Sequence, residues 1–208
     1  MKNEYEYKKI LLLDKLRRQM NGAVVDAMRD YNGLENLRSY GVSLPTIKDI
    51  CLESEKEHEL ALYLFESNVR ELKLCAIFLD EPEKIEPSQI DKWSSECSNN
   101  EIMSHMAHLF EKSRYVDEYF HRWIESDSPA FVRMALLMIG GLARESKVIA
   151  NSKEKIVANI DKCTFFTLNS FVYAITNILI INPDWQAEIL HVVSGSNVGA
   201  VNELNNFL

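Results

Sequence analysis

The sequence predicts an all-α protein built from stacked antiparallel helix pairs. Apolar residues recur at helical spacing along almost the whole chain, period-2 alternation is nearly missing, and the prolines fall only at helix starts and loops. From Val69, for example, the apolar positions run through Leu72, Cys75, Ala76 and Leu79, with Leu74, Ile77 and Phe78 filling the neighbouring stripe. That pattern belongs to a helix covered on more than one side.

Proline is tolerated in the first turn of a helix and disruptive further in, so it marks boundaries. Ser43-Leu44-Pro45, Asp127-Ser128-Pro129 and Asn182-Pro183 each set a capping side chain at or near a proline ahead of a helical run, while Pro82 and Pro87 bracket a linker. The expected helices cover roughly residues 4–20, 23–31, 45–53, 56–66, 69–79, 88–95, 100–112, 115–125, 129–144, 153–161, 166–181 and 184–193, followed by a weak terminal helix.

Internal repetition decides between an irregular bundle and a solenoid. Val69-Arg70 heads an apolar run ending at Leu79, and Val132-Arg133 heads a similar run to Leu142, with weaker echoes near Ile102 and Val172. These separations fit a helix-pair period of roughly 30–40 residues. The expected fold is therefore a HEAT-like α-solenoid, an alpha-alpha superhelix formed by residues 1–208 as one domain. Gly140-Gly141 lowers helix propensity inside the second copy, and its compensation is the close approach of a neighbouring helix.

With 208 residues, 47% hydrophobic and 26% charged, the chain has the composition of a globular protein with a substantial core. Its most apolar stretch, residues 165–181, contains Thr167, Asn169, Ser170, Thr176 and Asn177, which suits a buried helix better than a lipid environment, so no membrane partner is expected. Cys51, Cys75, Cys97 and Cys163 are widely spaced, as in a reduced cytoplasmic protein, and no export signal precedes the first helix. The net charge of -8 opposes indiscriminate binding to nucleic acid. Basic residues nevertheless gather early, at Lys8, Lys9, Lys15, Arg17, Arg18 and Arg29, and none follows Lys162.

No Gly-rich phosphate loop, G-x-S-x-G elbow or H-E-x-x-H segment is present. Glu101, His105 and His108 share one helix face at metal-like offsets, with Cys97 a turn earlier and a second pair at Asp117 and His121. Without matched ligands on another helix, packed and hydrogen-bonded imidazoles account for this spacing better, and no metal or other cofactor is expected. Trp93, Phe131, Tyr173 and Trp185 are large enough to stack on nucleobases, although aromatic residues in helical arrays mostly fill cores.

The run from Tyr40-Gly41-Val42 through Pro45 and Lys48 to Ile50 resembles the aromatic-Gly-Val-x-x-Pro-x-x-basic-x-Ile segment of the bacterial DNA alkylation repair family, the HEAT-like-repeat alkylpurine DNA glycosylases. Further similar segments follow in the same order: Val69-Arg70, Asp80-Glu81-Pro82-Glu83-Lys84-Ile85, Ile90-Asp91-Lys92-Trp93, Leu109-Phe110-Glu111-Lys112 and Phe131-Val132-Arg133. The likeness is good over residues 36–145. It implies a solenoid whose concave face holds duplex DNA and a hydrolysis that releases N3- or N7-alkylated purines. It also implies a W-D-x-x-D segment, whose second carboxylate stabilises the positive charge developing on the sugar.

Here the comparable segment reads Asn99-Asn100-Glu101-Ile102-Met103, so Met103 occupies the catalytic position, or Asn99 does in a shifted register. Glu101, or Glu96, is the substitute carboxylate on offer. The resemblance places the family's DNA-contacting arginine at Arg133 or, one residue on, at Met134, and a stacking aromatic near Tyr173, and it makes Trp93, Asn99 and Asn100 further DNA-facing candidates. The family's basic C-terminal helices are replaced by residues 190–208, which carry Ser194-Gly195-Ser196 and no cation. Two functions follow: a DNA-binding relative of the glycosylases, or a non-catalytic scaffold holding a protein partner in its concave groove.

Overall fold

The computed structural model describes residues 2–25, 37–96, 99–204 and 206–207. Among them there is no strand; a single parallel bridge joins Arg38 to Val69. No helix is long and apolar enough to cross a membrane. The expected helix at 23–31 lies largely outside the described residues, as do Arg29 and Cys97. The chain separates into two compact units, residues 1–109 and 110–208.

The first unit contains α1 (Lys2–Arg17), α2 (Leu44–Leu52), α3 (His58–Phe65), α4 (Arg70–Leu79), α5 (Pro87–Glu96) and α6 (Asn100–Phe110), the last ending at the boundary. Local chemistry explains several starts. Ser43 caps α2 by accepting the Thr46 N–H, with Pro45 in the first turn. Helices α3 and α4 form an antiparallel pair, because the Glu57 N–H ahead of α3 donates to the carbonyl of Leu79 at the end of α4. A one-turn 3₁₀ helix, Pro82–Lys84, fills the linker between the two prolines.

As its periodicity predicts, α4 is buried nearly all round, from Arg70 to Ile77 and again at Leu79. This forces three charged side chains, Arg70, Glu71 and Lys73, into the interior. Each finds partners, since an unsatisfied buried charge is expensive. Lys73 Nζ donates to the Phe65 carbonyl at 2.6 Å and lies over the Phe65 ring. Glu71 Oε1 accepts from Ser39 Oγ, the Tyr40 and Val42 N–H groups and Arg70 Nη1. One buried carboxylate thus pins the loop before α2, where Gly41 takes a φ of 71° beside the Asn21 carbonyl.

The second unit contains α7 (Val116–Ile124), α8 (Pro129–Arg144), α9 (Ser152–Ala158), α10 (Leu168–Ile181), α11 (Gln186–Gly195) and α12 (Gly199–Leu204). Helices α7 and α8 form a second pair across a short loop, and Trp123 of α7 stacks on Phe131 of α8 with centroids 5.5 Å apart. Ser128 stands at the N-terminus of α8, where Pro129 rather than a side-chain hydrogen bond sets the start.

The tightest contact of this unit joins α8 to α10 and depends on the glycine pair. A Cβ on Gly140 would lie 2.5 Å from the Tyr173 ring and 3.2 Å from the Ala174 Cα, and one on Gly141 would meet the Glu111 carboxylate at 1.9 Å. The close approach predicted for Gly140-Gly141 is the one observed.

Candidate nucleic-acid interface

The segment opening α6 is organised by capping and by ion pairing. Asn99 is buried, and its Oδ1 accepts the N–H groups of Glu101 and Ile102, so its side chain is committed to the helix start. Asn100 is half-buried, and its carbonyl accepts from Ser104 Oγ. Met103 faces the core. Ser104, the next position on the helix, is half-buried and cannot ionise.

Glu101 meets Arg70 in a bidentate ion pair, with Arg70 Nε donating to Oε2 at 2.6 Å and Nη2 donating to Oε1 at 2.7 Å. Arg70 is 0% exposed, and its Nη1 also donates to the Val42 carbonyl and to Glu71. Burial opposes its charge, but the contacts with Glu101 and Glu71 outweigh that penalty and raise its pKa. The substitute carboxylate expected from the sequence is therefore held in a structural network, with both oxygens engaged by one guanidinium. Sequence reasoning missed this pairing. Glu96, the other substitute, is exposed at the end of α5.

His105 lies two residues beyond Met103, and its ring meets that of Phe78 in a T-shaped contact with centroids 5.3 Å apart. Burial, assisted by the nearby Lys48 charge, lowers its pKa to about 4. Among the described residues no three His, Cys, Asp or Glu side chains converge to hold a metal, and the Glu101 of the suspected trio turns to Arg70. Lys48 lies over the Phe78 ring at 5.4 Å and lines an open depression of about 280 Å³ with Cys51, Leu52, Ser54, Lys56, Phe78 and Leu79. Two lysines beside an aromatic wall suit an anionic ligand better than a neutral one.

Trp93 corrects another expectation. It is 1% exposed and stacks on Phe65 with centroids 4.0 Å apart and planes 6° from parallel, so its indole belongs to the core and offers no face to a base. Arg133 is half-buried on α8, its guanidinium lies 5.6 Å from the Phe166 ring centroid, and burial lowers its pKa without approaching neutrality at physiological pH. Tyr173 is half-buried, with one ring edge against Gly140. Arg133 and Tyr173 thus belong to the paired helices α8 and α10 of a single unit.

Comparison with known proteins bears on this arrangement. The model of the DNA alkylation repair enzyme family matches residues 12–187, well beyond the 36–145 read from the motifs. The chain belongs to that family. Two curated relatives, both uncharacterised, are Lmo0209 of Listeria monocytogenes, 24% identical, and Lin0241 of Listeria innocua, 23% identical; each match covers 73% of this chain and 71% of the relative. A solved structure with a TM-score of 0.75 and 13% identity covers 94% of this chain and 92% of its own. It represents a family described as related to the HEAT-like repeat DNA glycosylases, with affinity for branched DNA structures. At that identity the likeness shows the fold, a HEAT-like helical repeat.

Proposed function

We propose that this family member is a DNA-binding HEAT-repeat protein of the cytoplasm that holds duplex or branched DNA without excising a base, its whole length acting as one repeat domain. The observation carrying this reading is the bidentate Arg70–Glu101 pair. A carboxylate that stabilises a cationic sugar must face the substrate. Here the nearest acidic group in the relevant segment is neutralised by a buried arginine, Met103 is core and Ser104 is neutral. Lys48 in the first unit and Arg133 and Tyr173 in the second supply contacts to phosphates and bases, and the affinity for branched DNA of the structurally similar family supports the choice of ligand.

The test is fluorescence anisotropy with labelled duplex and three-way-junction DNA across a salt series, beside an assay of base release from alkylated duplex. Binding that weakens with salt and no release of N3- or N7-methylpurine is the expected result. No binding at low salt removes the proposal. Release of N3- or N7-methylpurine by the wild-type protein replaces it with glycosylase activity.

A protein-scaffold function is favoured by one surface: Tyr7, Ile10 and Leu11 are exposed on α1, while its lysines Lys8, Lys9 and Lys15, and Arg18 just beyond its end, pair with carboxylates. Nuclease-resistant recovery of a defined protein partner, lost on Ile10→Asp, identifies that function.

A further inference from the structure

The turn ahead of α10 reads Thr164-Phe165-Phe166-Thr167, and its construction is unusual. Turn centres are ordinarily occupied by Gly, Pro, Asn, Asp or Ser, residues that turn the backbone and remain solvated. Here both central residues are phenylalanines, 76% and 45% exposed, and the flanking threonines lock them in place. The Thr164 N–H donates to Thr167 Oγ1 at 2.9 Å and the Thr167 N–H to Thr164 Oγ1 at 3.3 Å, a reciprocal arrangement like a capping box. The backbone adds bonds from the Thr167 and Leu168 N–H groups to the Thr164 carbonyl. Thr167 is fully buried.

A rigid turn has therefore been built to present two aromatic rings to solvent, with the guanidinium of Arg133 beside the Phe166 ring. We propose that Phe165 and Phe166 stack on unpaired nucleobases of DNA while Arg133 meets the adjoining phosphate, making this turn the element that distinguishes unpaired or branched DNA from an intact duplex. The proposal rests on the DNA-binding function above. A nucleotide fits this surface better than an apolar protein surface does, because it offers a π-face and an anion a few ångströms apart, matching a ring beside a permanent cation. Intact duplex keeps its bases stacked internally and offers these rings little, whereas a bulge, flap or junction exposes them.

The test compares the full chain with Phe165→Ala/Phe166→Ala, Phe165→Tyr/Phe166→Tyr and Arg133→Gln. Each is titrated into labelled duplex, the same duplex with a three-base bulge, and a three-way junction. Wild type is expected to prefer the bulged and junction forms. The double alanine variant should lose roughly ten- to a hundred-fold of affinity for those forms, with duplex affinity little changed. The tyrosine variant should retain the preference, and Arg133→Gln should weaken binding to all three DNAs and flatten their salt dependence.

Unchanged circular dichroism and melting of the alanine variant, expected for exposed positions, tie the loss to the rings. If wild type binds DNA and the alanine variant keeps the same preference, the turn has no such role and the proposed function stands. If wild type binds no DNA, the proposed function fails first and the turn's role falls with it. A wild-type dimer that dissociates on Phe165→Ala/Phe166→Ala in sedimentation overturns the nucleobase role in favour of self-association.

Discussion

Val69-Arg70 at the start of α4 and Val132-Arg133 near the start of α8 are copies of one sequence motif, each leading an apolar run. Their arginines meet different surroundings. Arg70 is fully buried and gripped by Glu101 and Glu71, whereas Arg133 is half-buried and lies against Phe166. The neighbouring segments differ: α6 brings Glu101 within 2.6 Å of Arg70, whereas the turn ahead of α10 sets the Phe166 ring beside Arg133. Burying a guanidinium requires carboxylates, and the repeat that supplies them turns its arginine into a structural bolt. The half-buried Arg133 keeps part of its side chain open to solvent.

The largest test of this contrast is stability. Glu101→Ala should destabilise the protein by about 3–5 kcal/mol in urea unfolding, because a buried guanidinium loses its bidentate partner. Arg133→Gln should cost clearly less, because its side chain is half-buried where Arg70 is fully buried. Equal losses would erase the distinction between the two repeats.

Next in size is the glycine contact, which concerns only the second unit. Gly140→Ala should cost about 1–3 kcal/mol by overpacking α8 against α10. A smaller cost in a Tyr173→Ala background, measured as a double-mutant cycle, would assign the strain to the Tyr173 ring.

A pH effect follows for the first unit. His105 is depressed to about 4 in the folded state by burial and Lys48, so the unfolded chain takes up the proton first as pH falls. Its contribution to stability is complete above the unfolded pKa, about 6.5, and declines from there to about pH 4. A His105→Gln variant should therefore show a flatter melting temperature over that window than wild type.

The smallest effect is expected at Lys48, which sits on the surface over Phe78. Lys48→Gln should leave the melting temperature almost unchanged and reduce the salt slope of DNA binding by about 1. A change in stability without a change in slope would make Lys48 a structural cation like Arg70.

Much of the architecture was readable from short-range chemistry. The apolar period of α4, the capping Ser43 beside Pro45, Pro129 at the start of α8 and the Gly140-Gly141 pair each act within a few residues or on one neighbour, so the sequence by itself determined the helices, their pairing and the family. The family resemblance implied that Met103, or Asn99 in a shifted register, stands where a carboxylate was expected. Other facts arise only when distant segments meet. Glu101 and Arg70 are 31 residues apart, Trp93 reaches Phe65 across 28, and Phe166 approaches Arg133 across 33. Whether Glu101 was a reactive carboxylate or half of an ion pair, and whether Trp93 was a stacking surface or core, depended on burial and on which charge lay within hydrogen-bond distance. Tertiary packing alone decides those two quantities, because desolvation and Coulomb energy depend on separation in space and not along the chain.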